Sequence, residues 1–141
     1  MFTILIDDRE KKPYSFPDFN TEQQRLDVGD YAIKGYERHF AVERKSLNDL
    51  ATSCGSERDR FEREIKRAQS LARFAVIVES DKANAQGGNY FSNIHPNSVI
   101  GTVEKWPTKY DTLHFEWCGS RDRARKRTVE LLTEWDRQYL R

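Results

Sequence analysis

Residues 74–79 read Phe-Ala-Val-Ile-Val-Glu, five apolar side chains in a row closed by a carboxylate. Successive side chains of a strand point to opposite faces, so an unbroken apolar run of this length must be covered on both. The run therefore demands a sheet with other elements packed against each face, and its flanks supply them. Upstream, Phe61, Ile65, Ala68 and Ala72 recur at helical spacing, with Arg58, Arg63, Lys66 and Arg67 largely off that stripe. Downstream, Pro96 suits the first turn of a helix whose buried face uses Val99, Ile100, Val103 and Trp106. Pro107 is expected to end or kink that helix. A last helix is expected from about Arg121 to Tyr139, on a stripe of Ala124, Thr128, Leu131, Leu132 and Trp135.

Further strands are expected at Phe2–Ile6, Leu26–Ile33, His39–Lys45 and Thr112–Trp117, the second and third joined around Gly35. Lys11–Phe19, with Pro13 and Pro17, reads as a loop, as does 81–93 around Gly87-Gly88. Asn48–Thr52 has room for a short helical turn. Strands first and helices interleaved later give an α/β fold, a mixed central sheet flanked by helices. At 141 residues the expectation is one domain, 1–141.

The composition, 37% hydrophobic and 33% charged, excludes the disordered and membrane-spanning classes, and the longest apolar runs are strand-sized. Met1 is followed almost at once by an expected core strand, so a signal peptide does not fit and a cytoplasmic location is expected. A net charge of +1 provides no global field for nucleic acid, which leaves that task to local basic patches. Cys54 and Cys118 have no partner at metal-ligand spacing and read as reduced thiols.

The chemistry lies in the strand 39–45. Alternation puts Glu43 and Lys45 on one face and Phe40, Val42 and Arg44 on the other. Val28-Gly29-Asp30-Tyr31 brings a second carboxylate onto the neighbouring strand. An Asp beside a Glu-x-Lys is what a hydrolytic phosphodiesterase needs. Two carboxylates hold Mg²⁺ or Mn²⁺, hard ions that prefer oxygen. The ion polarises the phosphate and lowers the pKa of a water. Lys45 stabilises charge developing at phosphorus or orients the attacking water. Gly29 lets the backbone pass close to a metal or phosphate. On the tripeptide alone, a surface salt bridge between Glu43 and Lys45 is the simpler reading.

The ordered set IDDRE (6–10), LDVGDYAI (26–33) and VERKSLNDL (42–50), followed by an arginine-rich amphipathic helix, resembles the XPF-type structure-specific endonuclease family. That family's signature is GD, then ERKxxxD. Gly29-Asp30 and Glu43-Arg44-Lys45-Ser46-Leu47-Asn48-Asp49 match it in full, and IHPNSVIGT (94–102) is similar to standalone bacterial and phage members. The resemblance implies a restriction-endonuclease-like fold and Mg²⁺- or Mn²⁺-dependent cleavage of branched, flap or fork DNA in repair or recombination. It implies that Asp30 and Glu43 ligate the metal and that the catalytic set is Asp30, Glu43, Lys45, Arg44 and Asp49. Asp7 and Glu10 would complete the acidic metal cluster, and Asp49 would hold Arg44 or support the cluster from behind. Arg60 would lie near the DNA phosphates, with Arg9, Arg63, Lys66 and Arg67 as further DNA contacts.

The resemblance also implies a homodimer or a partner protein, with the last two helices, Trp106, Trp135 and Tyr139 as the candidate face. Larger relatives add a tandem helix-hairpin-helix module, for which no residues follow Arg141, so help from a partner or from dimerisation is expected. Two other readings stay open: a less selective DNA nuclease or nickase, and a non-catalytic DNA-binding partner subunit. The intact Asp30, Glu43 and Lys45 set argues against the last.

Other features carry less. His39, His95 and His114 are too scattered for a catalytic pair, and His95 is the best of them for a phosphate contact. Tyr90 and Phe91 read as two core-anchoring aromatics of a surface connection, the alternative being a DNA-contacting flap. Arg121, Arg123, Arg125, Lys126 and Arg127 crowd the start of the last helix against its dipole, as a solvated face or a phosphate contact.

Overall fold

Residues 1–139 are described by a computed structural model, and they build one six-stranded sheet. Its strands are β1 (Ile4–Asp7), β2 (Thr21–Gln24), β3 (Tyr31–Ile33), β4 (Phe40–Lys45), β5 (Arg73–Val78) and β6 (Leu113–Trp117), in the order β2-β1-β3-β4-β5-β6. β1 runs parallel to β2 and antiparallel to β3, and β3 is antiparallel to β4. β4, β5 and β6 are mutually parallel. The parallel steps need crossovers. The 8–20 loop makes the one from β1 to β2, helices α1 (Leu47–Cys54) and α2 (Arg58–Ala68) the one from β4 to β5, and α3 (Lys82–Gln86) and α4 (Pro96–Lys109) the one from β5 to β6. α5 (Arg121–Tyr139) follows β6.

The apolar run of β5 divides between the two faces as alternation requires. Phe74, Val76 and Val78 pack with Leu50 and Cys54 of α1, Phe61 and Ile65 of α2, and Val99 and Trp106 of α4. Ala75 and Ile77 pack on the other face with Phe40, Val42 and Leu132 of α5, and with Tyr14 and Phe16 from the 11–19 loop. The mixed α/β sheet read from the sequence is therefore the one observed.

Several elements differ from expectation. α1 is longer than one turn because the Ser46 hydroxyl caps it, accepting from the Asp49 amide at 3.1 Å, and Leu50, Ala51 and Cys54 bury one side. α2 stops at Ala68, so Leu71 rather than Ala72 closes the apolar stripe, and Ala72 is exposed. Only Tyr31–Ile33 of the expected strand 26–33 is extended. Pro107 does not stop α4, which runs on to Lys109 before the Tyr110 amide closes on the Trp106 carbonyl at 2.8 Å. So near the helix end proline removes one backbone bond and little else. β2 and α3 lie outside the expectation, because β2 (Thr-Glu-Gln-Gln) is wholly exposed and α3 buries only Ala85. No helix among the described residues is long and apolar enough to cross a membrane.

Candidate active site

The register of three strands brings the acids together. Tyr31 of β3 pairs with Ile6 of β1 on one side and with Val42 of β4 on the other. The next position along each strand places Asp7, Asp30 and Glu43 side by side. The Asp7 amide donates to the Asp30 carbonyl and the Asp30 amide to the Val42 carbonyl, both at 2.8 Å. Alternation puts all three side chains on the face that carries Leu5, Ala32 and Ala41, beneath α1 and α2.

Gly29 makes this possible through a left-handed backbone and the lack of a side chain. Its φ is +81°, and a Cβ there would stand 2.9 Å from the Ala41 Cβ and 3.2 Å from the Val42 carbonyl oxygen. The close approach that the structure shows is to β4. It seats the chain so that Asp30 enters the sheet edge-on with its carboxylate beside the end of β4, where Oδ2 accepts from the Arg44 amide at 2.8 Å.

Burial and like charge dominate the electrostatics. Glu43 is 6% exposed. Desolvation, then the charges of Glu43 and Glu10, hold the Asp30 carboxyl well above the usual range. Lys45 Nζ lies 3.4 Å from Glu43 Oε2 and 5.0 Å over the Phe61 ring. Burial works to discharge this ammonium, but Glu43, Glu64 and Asp30 outweigh it and raise its pKa. Lys45 is thus a fixed positive charge beside two crowded carboxylates.

Glu64 is the member that the sequence pattern does not single out. It stands on α2 beside Glu43, and desolvation, then the Glu43 charge and a hydrogen bond to Glu43, push its pKa up to about 8. Position 64 follows Phe61 by three residues and precedes Ile65, on the margin of the buried stripe, which is the one available signal. The raised pKa has a consequence for stability. The unfolded carboxyl releases its proton near the ordinary 4.5 and the folded one near 8. Stability is therefore full below the lower value and falls as pH rises through the higher. In chelator, Glu64→Gln is expected to melt roughly 5 °C above the parent at pH 8.5, with the gap closing towards pH 5. Parallel melting curves across that range would contradict the raised pKa.

The remaining motif residues point elsewhere. The Arg44 guanidinium lies on the opposite face, donating to Glu79 Oε2 at 3.0 Å and Oε1 at 2.8 Å, with Glu10 Oε1 at 3.4 Å. Tyr14 Oη donates to Glu79 at 2.5 Å, and Arg121 Nη1 lies 3.5 Å from the same carboxylate. So Arg44 is held by Glu79 and Glu10 rather than by Asp49, which is exposed in the first turn of α1. Burial would raise the pKa of Glu79, but its bonds to Arg44 and Tyr14 reverse this and hold it low. Asp7 is also occupied. Its carboxylate accepts from the Leu26 amide at 2.9 Å and from Arg9 Nε at 3.1 Å and Nη2 at 3.2 Å. Arg9, expected at DNA, is thereby tied to Asp7 and to the Leu26 carbonyl at 2.6 Å.

The donor pair of Asp30 and Glu43 suits a hard divalent ion, since a cation relieves the repulsion that otherwise holds protons there, whereas Glu10 is engaged by Arg44 and by the Lys12 amide. Asp7 fits less well while Arg9 and Leu26 hold it. Among the described residues, no three acidic or sulfur or imidazole groups already converge on one point.

Arg60, Arg63, Lys66 and Arg67 are all exposed on α2, and Arg60 lies 3.7 Å from Glu57. The basic start of α5 is largely neutralised within the chain. Arg125 and Lys126 meet Asp122, and Arg127 meets Glu116, Glu130 and Glu134. His95 caps α4 through Nδ1, which accepts from the Asn97 amide at 3.0 Å, and His114 pairs with Glu116. Trp106, expected at an exposed pairing face, is buried against Phe61, and Trp135 stacks on Phe40. Tyr139 is exposed.

A family model described as ERCC4 domain matches residues 6–130. Among solved structures, the chain is similar to XPF from Aeropyrum pernix, at 17% identity and a TM-score of 0.71. It is similar also to XPF from Aeropyrum pernix in complex with DNA, at 17% identity and a TM-score of 0.70. Each likeness covers 98% of this chain and 66% of the other, so this chain spans about two thirds of those proteins, and at this identity the likeness is one of fold. Comparison with curated proteins gave no match.

Proposed function

The chain belongs to the ERCC4 domain family, the XPF type of nuclease domain, and from that premise we propose that it is a metal-dependent DNA endonuclease. The observation that carries the reading is the convergence of Asp30, Glu43 and the charged Lys45 at one end of the sheet, under the exposed basic face of α2. Asp30 and Glu43 would hold a Mg²⁺ or Mn²⁺ ion there, and the ion would supply Lewis acidity at the scissile phosphate. Lys45 stabilises the negative charge that builds on the phosphoryl oxygens, from a site walled by Phe61 where such a charge counts for more than in water. Glu64 keeps a proton next to Glu43 until the cluster is neutralised. Arg60, Arg63, Lys66 and Arg67 hold the DNA backbone, a sequence-independent contact. Arg44 positions the end of β4 from the far face and does not touch the substrate.

The substrate class that fits is branched DNA, flap or fork, handled in repair or recombination together with a second copy or a partner protein. One of the two similar structures is a complex with DNA, which supports DNA as the ligand. The test is cleavage of end-labelled flap, fork, four-way and plain duplex DNA in Mn²⁺. Cutting confined to the neighbourhood of the branch is expected. Equal cutting of the plain duplex would replace this reading by a less selective nuclease, and binding without cutting by a non-catalytic partner subunit.

A further inference from the structure

Phe91 is 92% exposed, and among the described residues only Met1 at the chain terminus matches it among large apolar side chains. The sequence pairs it with Tyr90 as a core anchor, but in the fold the two part company. Tyr90 packs against the core and its hydroxyl donates to the Ile94 carbonyl at 2.7 Å, whereas the ring of Phe91 stands in solvent. The backbone that carries this ring is fixed. The Phe91 amide donates to Asn48 Oδ1 at 2.9 Å, and the Asn89 side chain is bonded to Asn84 at 3.0 Å. Ile94 packs with the core, close against Gly55.

The anchor places the ring. Asn48 lies in the first turn of α1, three residues beyond Lys45, so the loop is tied to the segment that leaves the acidic site. Leaving an aromatic ring in water forfeits the burial it would otherwise gain. Holding it on a pinned backbone reduces the ordering cost of any partner that covers it. Its sequence neighbours Asn89, Ser92 and Asn93 are polar, and Tyr90 and Ile94 turn towards the core. A single flat ring framed by amides and hydroxyls suits one flat partner.

We propose that Phe91 is a stacking platform for an unpaired base of the DNA strand that enters the site. The inference rests on the nuclease reading and deepens it by naming single-stranded character beside the cut as the feature recognised. Every base has a π-face, so the contact discriminates structure and not sequence. The exposed row on α2 holds phosphates while Phe91 takes a base that is free to leave the stack.

The test is affinity for a flapped duplex and for the same duplex without the flap, with Ca²⁺ replacing Mg²⁺, for the parent, Phe91→Ala and Phe91→Trp. A base–aromatic stack corresponds to about a tenfold loss of affinity when the ring is removed. Phe91→Ala is therefore expected to lower the preference for the flapped over the plain duplex about tenfold, and Phe91→Trp to restore it. A 2-aminopurine in the flap should be quenched on binding the parent and not on binding Phe91→Ala. Melting temperatures report whether the variants fold. Equal losses on both DNAs, or an alanine variant with the parent's preference, would overturn the stacking platform and leave the nuclease reading intact. A parent that binds neither DNA would overturn both.

Discussion

Glu43→Gln is expected to slow DNA cleavage about a thousandfold while leaving the protein at least as stable as the parent. Both halves follow from one environment. Glu43 is buried, 3.4 Å from the Lys45 ammonium, and its charge is among the causes that raise Asp30 and Glu64. Glutamine keeps the shape and most of the hydrogen bonding but removes a charge that repels its neighbours, so the folded state gains. The same removal takes away an oxygen ligand for a divalent ion, so cleavage fails. Single-turnover rates and thermal melts at pH 8 separate the two effects. A variant that loses activity and melts well below the parent would make Glu43 a structural residue instead.

Arg44→Ala is expected to destabilise the fold by about 3 kcal/mol, near 10 °C in melting temperature. Removing one partner of a buried ion pair leaves the other charge uncompensated. Here the side chains of Arg44, Glu79 and Glu10 are 10%, 6% and 9% exposed, so two carboxylates lose their shared cation. Tyr14 and Arg121 remain on Glu79, which keeps the loss at the lower end. Arg44→Lys retains the charge but not the two-pronged contact and should fall between. A melt close to the parent's with cleavage abolished would move Arg44 from a positioning role into the chemistry.

The alternation of β4 marks how far residues alone can be read. Placing Glu43 and Lys45 opposite Arg44 needs only a period of two, and the structure separates them accordingly, the first pair towards Phe61 and Glu64, the last towards Glu79 and Tyr14. Their partners are not legible in the sequence, because they come from elements distant in the chain whose register no local pattern sets. Glu79 closes an apolar run and Tyr14 sits in a proline-bounded loop, and neither announces a role until β5 lies beside β4. Asp7 is the converse case. Its place at the end of β1 is legible, but a nearby Arg9 and the Leu26 amide claim its oxygens. Gly29 reads as a point of close approach, correctly in kind, yet the approach is to Ala41 and Val42 within the sheet. Exposed elements such as β2 leave no apolar trace to read.

If the acids gathered by β1, β3 and β4 serve a divalent ion in phosphodiester hydrolysis, cleavage must depend on that ion. The most direct test is a time course of one end-labelled flapped duplex with the parent protein in Mg²⁺, in Mn²⁺ and in chelator. Cleavage with either ion and none in chelator is the predicted result. Cleavage undiminished by chelator, or DNA bound in both ions yet never cut, would contradict it.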